Sequence, residues 1–392
     1  MIPNSSRWSP MIFFKKISLL QINLCRRGIG YKEALLIKEA IIANQQLSVV
    51  KLSYNDLRDA GARTIAEAIS ANGAHHASLS SLDLGFNSIG DEGCESLAVN
   101  AVAGNYVLDT LYLSGNKIRT KGALSIAGAM LHGGALTNLH MSANSLGSDG
   151  LKAVAGAIAQ VDARIQAGQQ QQKAGAPKRR SIQKLSVDCT GFDEAGFVSI
   201  PGMLLTNTNI TCLNLSNNKI NDQGMTLLSQ ALSQNKNVPL ETLLLSFNEI
   251  TDHGLEFLMN SIWGSQTLKT LKVDNNRIQD RGAQLCAVVL TSVPLHVLDI
   301  SYNRVTTVGI RAIMKNVSEN EHLTSFAMCG IPVDQNSSKA ISYALAYNSS
   351  LSILRMDNCS AGYSAQRHIV AGMVSNSRGS MRVFTGFYIA RK

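Results

Sequence analysis

The fold class this sequence predicts is an α/β solenoid of about twelve stacked strand–helix repeats. Three observations predict it: one apolar phrase recurs along nearly the whole chain, a glycine returns at a fixed distance after each phrase, and an amphipathic helical stretch follows each glycine. Recurrence at a fixed period near 28 residues is the mark of a repeat array, in which each unit buries its apolar face against its neighbours.

The phrase reads L-x-x-L-x-L-x-x-N-x-I/L. It stands at Leu79–Ile89, Leu240–Ile250 and Leu268–Ile278. With the asparagine position as anchor, the repeats are marked by Cys25, Asn55, Asn87, Asn116, Asn144, Thr190, Asn218, Asn248, Asn276, Asn303, Ile331 and Cys359, spaced 27 to 32 apart except for 46 between Asn144 and Thr190. The residue two past the anchor is apolar from Leu57 through Val333 and fails only at Arg27 and Ala361. The residue six past it is glycine at 61, 93, 122, 150, 196, 224, 254, 282 and 309.

Each column has a cause. Two apolar residues two apart point to the same face of a short strand. The anchor carboxamide can satisfy backbone donors and acceptors together as the chain turns away from the strand. Glycine lets the next helix approach the turn. In that helix Ile65 and Ile69, or Leu228 and Leu232, fall four apart on one inward face. Asp59, Asp91, Asp222, Asp252 and Asp280 stand in the first turns, where a carboxylate suits the helix dipole.

A strand and a full helix within about 28 residues resemble the ribonuclease-inhibitor subfamily of leucine-rich repeats, as in ribonuclease inhibitor, the GTPase-activating protein for Ran and the C-terminal repeats of NLR receptors. The resemblance covers about Ile17 to Asn376. It implies a horseshoe solenoid with a parallel sheet on its concave face and helices on its convex face. It also implies a surface for another protein.

The chain has 392 residues and a net charge of +9. Its charged fraction of 16% lies below the roughly 25% usual for soluble domains. Basic residues gather near the start, around Lys173–Lys184, and at the end. Residues 1–16 are expected to be an N-terminal extension or cap. The solenoid is expected over 17–378, interrupted at about 162–181 by a Gln/Lys/Arg-rich insertion. Residues 379–392 are expected to form a capping strand. The seven cysteines show no CxxC spacing and read as reduced, buried thiols of a cytoplasmic protein, with Pro177–Arg180 as a candidate nuclear-import run.

Catalytic and nucleotide-binding signatures are missing: there is no GxSxG, GxxxxGK[ST] or HExxH motif. The expectation is a non-enzymatic, monomeric scaffold with no cofactor, no metal, no membrane span and no nucleic-acid partner. It would bind another protein, a small GTPase among the candidates, on the strand positions between buried leucines. Those positions supply Lys51, Asp83, Tyr112, His140, Leu244, Lys272, Asp299 and Arg355. Tyr54, Phe86, Phe247 and Tyr302 stand beside the anchors. Two alternatives remain: GTPase regulation similar to that of the Ran activator, and a stand-alone NLR-like sensor. A ribonuclease-inhibitor role is disfavoured, because that family's acidic surface matches basic ribonucleases and this chain is itself basic.

Overall fold

The computed structural model describes residues 19–71, 76–168, 180–376 and 382–384. Two compact units make up the chain, Met1–Ser199 and Ile200–Lys392.

In the first unit six parallel strands follow one another in sequence order: β1 (Gln21–Asn23), β2 (Val49–Lys51), β3 (Ser81–Asp83), β4 (Thr110–Tyr112), β5 (Asn138–His140) and β6 (Lys184–Ser186). Between them run helices α1 (Tyr31–Ala43), α2 (Arg58–Ile69), α3 (Asp91–Leu97), α4 (Thr120–Leu131) and α5 (Gly147–Gln166), and the short α6 (Glu194–Phe197) follows β6. In the second unit α7 (Ser199–Leu204) leads to β7 (Cys212–Asn214), β8 (Thr242–Leu244), β9 (Thr270–Lys272), β10 (Val297–Asp299), β11 (Ser325–Ala327), β12 (Ile353–Arg355) and β13 (Arg382–Phe384). These strands too are parallel and ordered by sequence. Helices α8 (Asp222–Gln234), α9 (Asp252–Ile262), α10 (Asp280–Val289), α11 (Thr307–Glu319), α12 (Gln335–Tyr347) and α13 (Tyr363–Ser375) alternate with them.

Strands β1 to β12 bury their central residues, as in β3, where Leu82 is buried between the half-buried Ser81 and Asp83 that face the open side. The buried leucines meet the inward helix faces, for example Ile65 and Ile69 of α2. Burying one such side chain contributes about 1.5–3 kcal/mol.

The anchor asparagines knit neighbouring repeats. Asn116 donates Nδ2–H to the carbonyls of Leu84 (3.0 Å) and Leu113 (2.8 Å), and its Oδ1 accepts from the backbone N–H of Asn87 and of Ile89, both at 3.0 Å. Asn276 repeats the pattern with Leu245 and Val273 as acceptors and Ile250 as donor. One side chain thus satisfies backbone groups of two repeats that are buried from water.

Pairing corrects the register of the first repeat. Asn23 aligns with Lys51, so the residue level with Asn55 is Arg27, not Cys25. Arg27 donates its backbone N–H to Asn55 Oδ1 at 2.9 Å, and the apolar position two further on is Ile29, which is buried. The sequence places an anchor on the small polar Cys25 because no asparagine is present; only the neighbouring strand reveals the two-residue offset.

The helix-start aspartates act across repeats. Asp59 Oδ1 accepts from the backbone N–H of Gly90 (2.7 Å) and Gly93 (2.9 Å), which open α3. Asp91 serves Arg119 and Gly122 at the start of α4, and Asp280 serves Thr306 and Gly309 at the start of α11. Asp222 and Asp252 accept from Thr251 and Gln279 in the same way. Each stands in the first turn of its own helix, as expected, and in addition caps the next one. Five glycines of the column, Gly93, Gly122, Gly254, Gly282 and Gly309, follow from this. A Cβ on Gly93 would lie 2.6 Å from Asp59 Oδ1, and one on Gly282 would lie 2.6 Å from Asp252 Oδ1. Three helices whose preceding repeat has no such aspartate supply their own cap, Asp193 for α6, Asn221 for α8 and Asp334 for α12.

Of the expected insertion, α5 runs on to Gln166, and residues 169–179, with most of the Pro177–Arg180 run, lie outside the described residues. So do residues 1–18. At the other end, β13 pairs with β12. Among the described residues no helix is long and apolar enough to cross a membrane, and no cluster of His, Cys, Asp and Glu could hold a metal.

Candidate functional site

The open face of each sheet carries two columns of strand residues and ends in a turn. The turn residue just before each anchor has a positive φ in every repeat: Arg26, Tyr54, Phe86, Gly115, Ala143 and Cys189 in the first unit, then Asn217, Phe247, Asn275, Tyr302, Gly330 and Asn358 in the second. The left-handed region suits Gly and Asn and costs other residues about 1–2 kcal/mol each. Aromatic side chains are therefore unexpected there. Yet Tyr54, Phe86, Phe247 and Tyr302 occupy it and remain 46%, 44%, 57% and 45% exposed. Neither backbone preference nor core burial accounts for four large rings at these places.

In the first unit the rings form a ladder. The Arg26 guanidinium lies 4.6 Å from the Tyr54 ring centre. Tyr54 and Phe86 stack with centroids 4.3 Å apart and planes 5° from parallel. The far side of Phe86 lies so close over Gly115 that a Cβ there would sit inside contact distance of its ring. One column inward, Tyr112 stacks on His140 at 4.4 Å and 11°. His140 Nδ1 lies 3.1 Å from Ser186 Oγ. Burial, and then Lys184, holds the imidazole below its ordinary pKa, against the pull of Asp188 and Asp83. Lys51 and Asp83 share the same strand column on adjacent strands.

In the second unit the same columns hold other chemistry. Leu244, Lys272 and Asp299 are half-buried and Arg355 is exposed. Burial raises the Asp299 carboxyl above the usual range, opposed by its hydrogen bonds from Ser301. Phe247 has no ring beside it, because its counterpart in the next repeat is Asn275. Tyr302 lies over Gly330, and its hydroxyl accepts from Asn358 Nδ2 at 2.9 Å. Ala327, in the same strand column, is buried.

All twelve candidate residues thus lie on open sheet faces or their turns, with Lys51 through His140 in the first unit and Leu244 through Arg355 in the second. Sequence reading missed the backbone state of the turn column. The signal was present: Gly115, Gly330, Asn217, Asn275 and Asn358 share the column with the aromatics, and Gly and Asn favour that conformation. Reading of the thiols was right for Cys94, Cys286, Cys329 and Cys359, which are buried, and wrong for Cys189, which is exposed in that turn column. Burial pushes Cys286 up to about 12 and Cys359 to about 11, so neither is a ready nucleophile.

Parallel strands ordered by sequence, an asparagine ladder and helices capped by the preceding repeat define a leucine-rich-repeat protein. The family model described as "Leucine Rich repeat" matches residues 43–66, 75–98, 105–127, 206–229, 236–259, 264–285 and 291–314. The chain is similar to proteins of the ribonuclease-inhibitor-like leucine-rich-repeat family. It is 25% identical to pig (Sus scrofa) ribonuclease inhibitor over 288 residues, which cover 67% of this chain and 59% of that protein. It is 27% identical over 162 residues to human (Homo sapiens) NACHT, LRR and PYD domains-containing protein 5, covering 41% of this chain and 13% of that one. The chain therefore spans a small part of the NACHT, LRR and PYD relatives. Among solved structures, an internalin from Listeria monocytogenes shares the fold at a TM-score of 0.50 and 16% identity, covering 89% of this chain and 83% of that one.

Proposed function

We propose that this protein is a non-catalytic scaffold that holds another protein on the open faces of its sheets. The observation that carries this reading is the set of four exposed aromatic residues in left-handed turns. Strain of that kind persists where surrounding structure enforces it and points to a use for the side chain. Exposed aromatic rings and arginine are also the residue types that most often anchor protein interfaces. The ribonuclease-inhibitor relatives, whose name states inhibition of another protein, support a binding role.

A photo-cross-linking amino acid in place of Tyr54 or of Phe247 tests the reading against one placed at the helix residue Tyr343. Partner adducts from the turn positions, with none from Tyr343, are expected. Adducts from Tyr343 alone would move the interface to the helices. Accelerated hydrolysis of GTP by a small GTPase on adding the chain would replace the scaffold by a GTPase regulator.

A further inference from the structure

Charges in the first unit are divided by face. Four cations on the helices are paired, Lys38 with Glu67, Arg63 with Glu92, Lys121 with Glu95 and Lys152 with Asp149, while Arg164 donates to the Leu131 carbonyl and Lys32 makes no ion pair among the described residues. At the turn edge Arg58 pairs with Asp56. The remaining cations around the ladder, Arg26, Arg27, Lys51 and Lys117, have no carboxylate within ion-pair distance among the described residues. Arg26, Arg27 and Lys117 are exposed and Lys51 is half-exposed. The nearest strand-column acid, Asp83, turns its Oδ1 to the Gly85 backbone N–H at 3.0 Å. Strands lie about 4.8 Å apart, so these groups fall within a few repeats of one another.

The ring geometry narrows the ligand. Tyr54 has the Arg26 guanidinium over one face and Phe86 over the other, and Phe86 has Tyr54 on one face and Gly115 on the other. Neither ring offers a free face to a nucleic-acid base, and base stacking is what aromatic residues supply to single strands. What remains open is the ring edges, where the aromatic quadrupole is positive. Positive ring edges beside unpaired cations complement carboxylates on an extended polypeptide.

We infer that the Arg26–Tyr54–Phe86 ladder, with Arg27, Lys51 and Lys117 around it, is a docking surface for an acidic segment of a partner protein. This rests on the reading of the open sheet face as the binding face. It adds the charge and form of what binds there.

The test uses the full chain, immobilised, to select from a random 16-residue peptide library, with a fluorescein-labelled 12-nucleotide oligouridylate as a second probe. Enrichment of acidic peptides is expected. Affinity for the best of them should fall about tenfold or more in Arg26→Glu/Lys51→Glu and stay unchanged in Tyr343→Ala. If the charge reversal does not fold by circular dichroism, Arg26→Gln/Lys51→Gln takes its place. Enriched peptides that are neutral or basic, yet lost in Tyr54→Ala/Phe86→Ala, would overturn the acidic partner and leave the sheet-face reading standing. Peptides insensitive to both pairs of changes would overturn both. No enrichment, or tighter binding of the oligouridylate than of any peptide, overturns the acidic segment.

Discussion

The two units use one backbone plan to display different surfaces. In the first, consecutive turn residues Arg26, Tyr54 and Phe86 stack into a continuous ladder with unpaired cations around it. In the second, the same column alternates rings with small polar residues, so Phe247 stands alone and Tyr302 lies over glycine. The second unit carries Asp274, Asp299 and Asp357 along with Lys272, and burial raises the Asp299 carboxyl. Surface chemistry in a solenoid is thus set by which residue types fall next to each other from repeat to repeat. The core columns, of the same apolar character in both units, leave it free to vary.

The largest expected effect probes what the units share. Asn116→Ala removes a buried carboxamide that satisfies four backbone groups. The loss should be about 3 kcal/mol or more, since each unpaired buried group costs about 1–3 kcal/mol. Asn276→Ala should cost a similar amount in the second unit. Urea unfolding followed by circular dichroism measures both, and a loss confined to one unit would break the equivalence of the two ladders.

Next come the cross-repeat caps. Asp59→Ala and Asp280→Ala should each cost about 1 kcal/mol. Gly93→Ala should cost more than Asp59→Ala, because its new Cβ displaces the cap and overpacks the joint by about 1–3 kcal/mol. Thermal midpoints would check the order; a harmless Gly93→Ala would refute the spatial account of the glycine column.

A smaller pair of changes separates the ladders. Phe247→Asn relieves left-handed strain with no stacked ring to lose, so stability should rise by up to about 1 kcal/mol. Phe86→Asn relieves the same strain but forfeits a stack worth about 0.5–1.5 kcal/mol, so its net change should lie near zero. Equal gains at both sites would mean that the Tyr54–Phe86 stack contributes nothing.

The smallest effects are in pH. His140 titrates lower when folded, so it adds stability that is present above pH 6.5 and lost as pH falls through its folded value. Asp299 titrates higher when folded, so its contribution is full below pH 3.8 and lost as pH rises through its folded value. His140→Gln should flatten the acid limb of the stability profile. Asp299→Asn should raise stability slightly at pH 7. Denaturant titrations across pH 3–8 test both, and an unchanged acid limb in His140→Gln would contradict the first.

Much of this was legible from residues alone. The spacing of leucines predicted the short parallel strands, the anchor column predicted the asparagine ladder, and the interleaved strand positions predicted which side chains face outward. These are properties of a period, and a period can be read along one chain. Other features needed neighbours. Arg27 replaced Cys25 as the first anchor only once β1 was paired with β2. The aspartates proved to cap the following helix, because the donor groups they meet lie about thirty residues away in sequence and one layer away in space. The aromatics before the anchors were legible as candidate contact residues, but not the left-handed turn that the backbone makes there in every repeat. Sequence by itself determined the repeat, its elements and its outward columns, since these follow from local geometry and apolar periodicity. Only the tertiary structure decided which groups on adjacent repeats touch, and so where Arg26, Tyr54 and Phe86 become one surface, because stacking brings together residues that the period alone keeps some thirty positions apart.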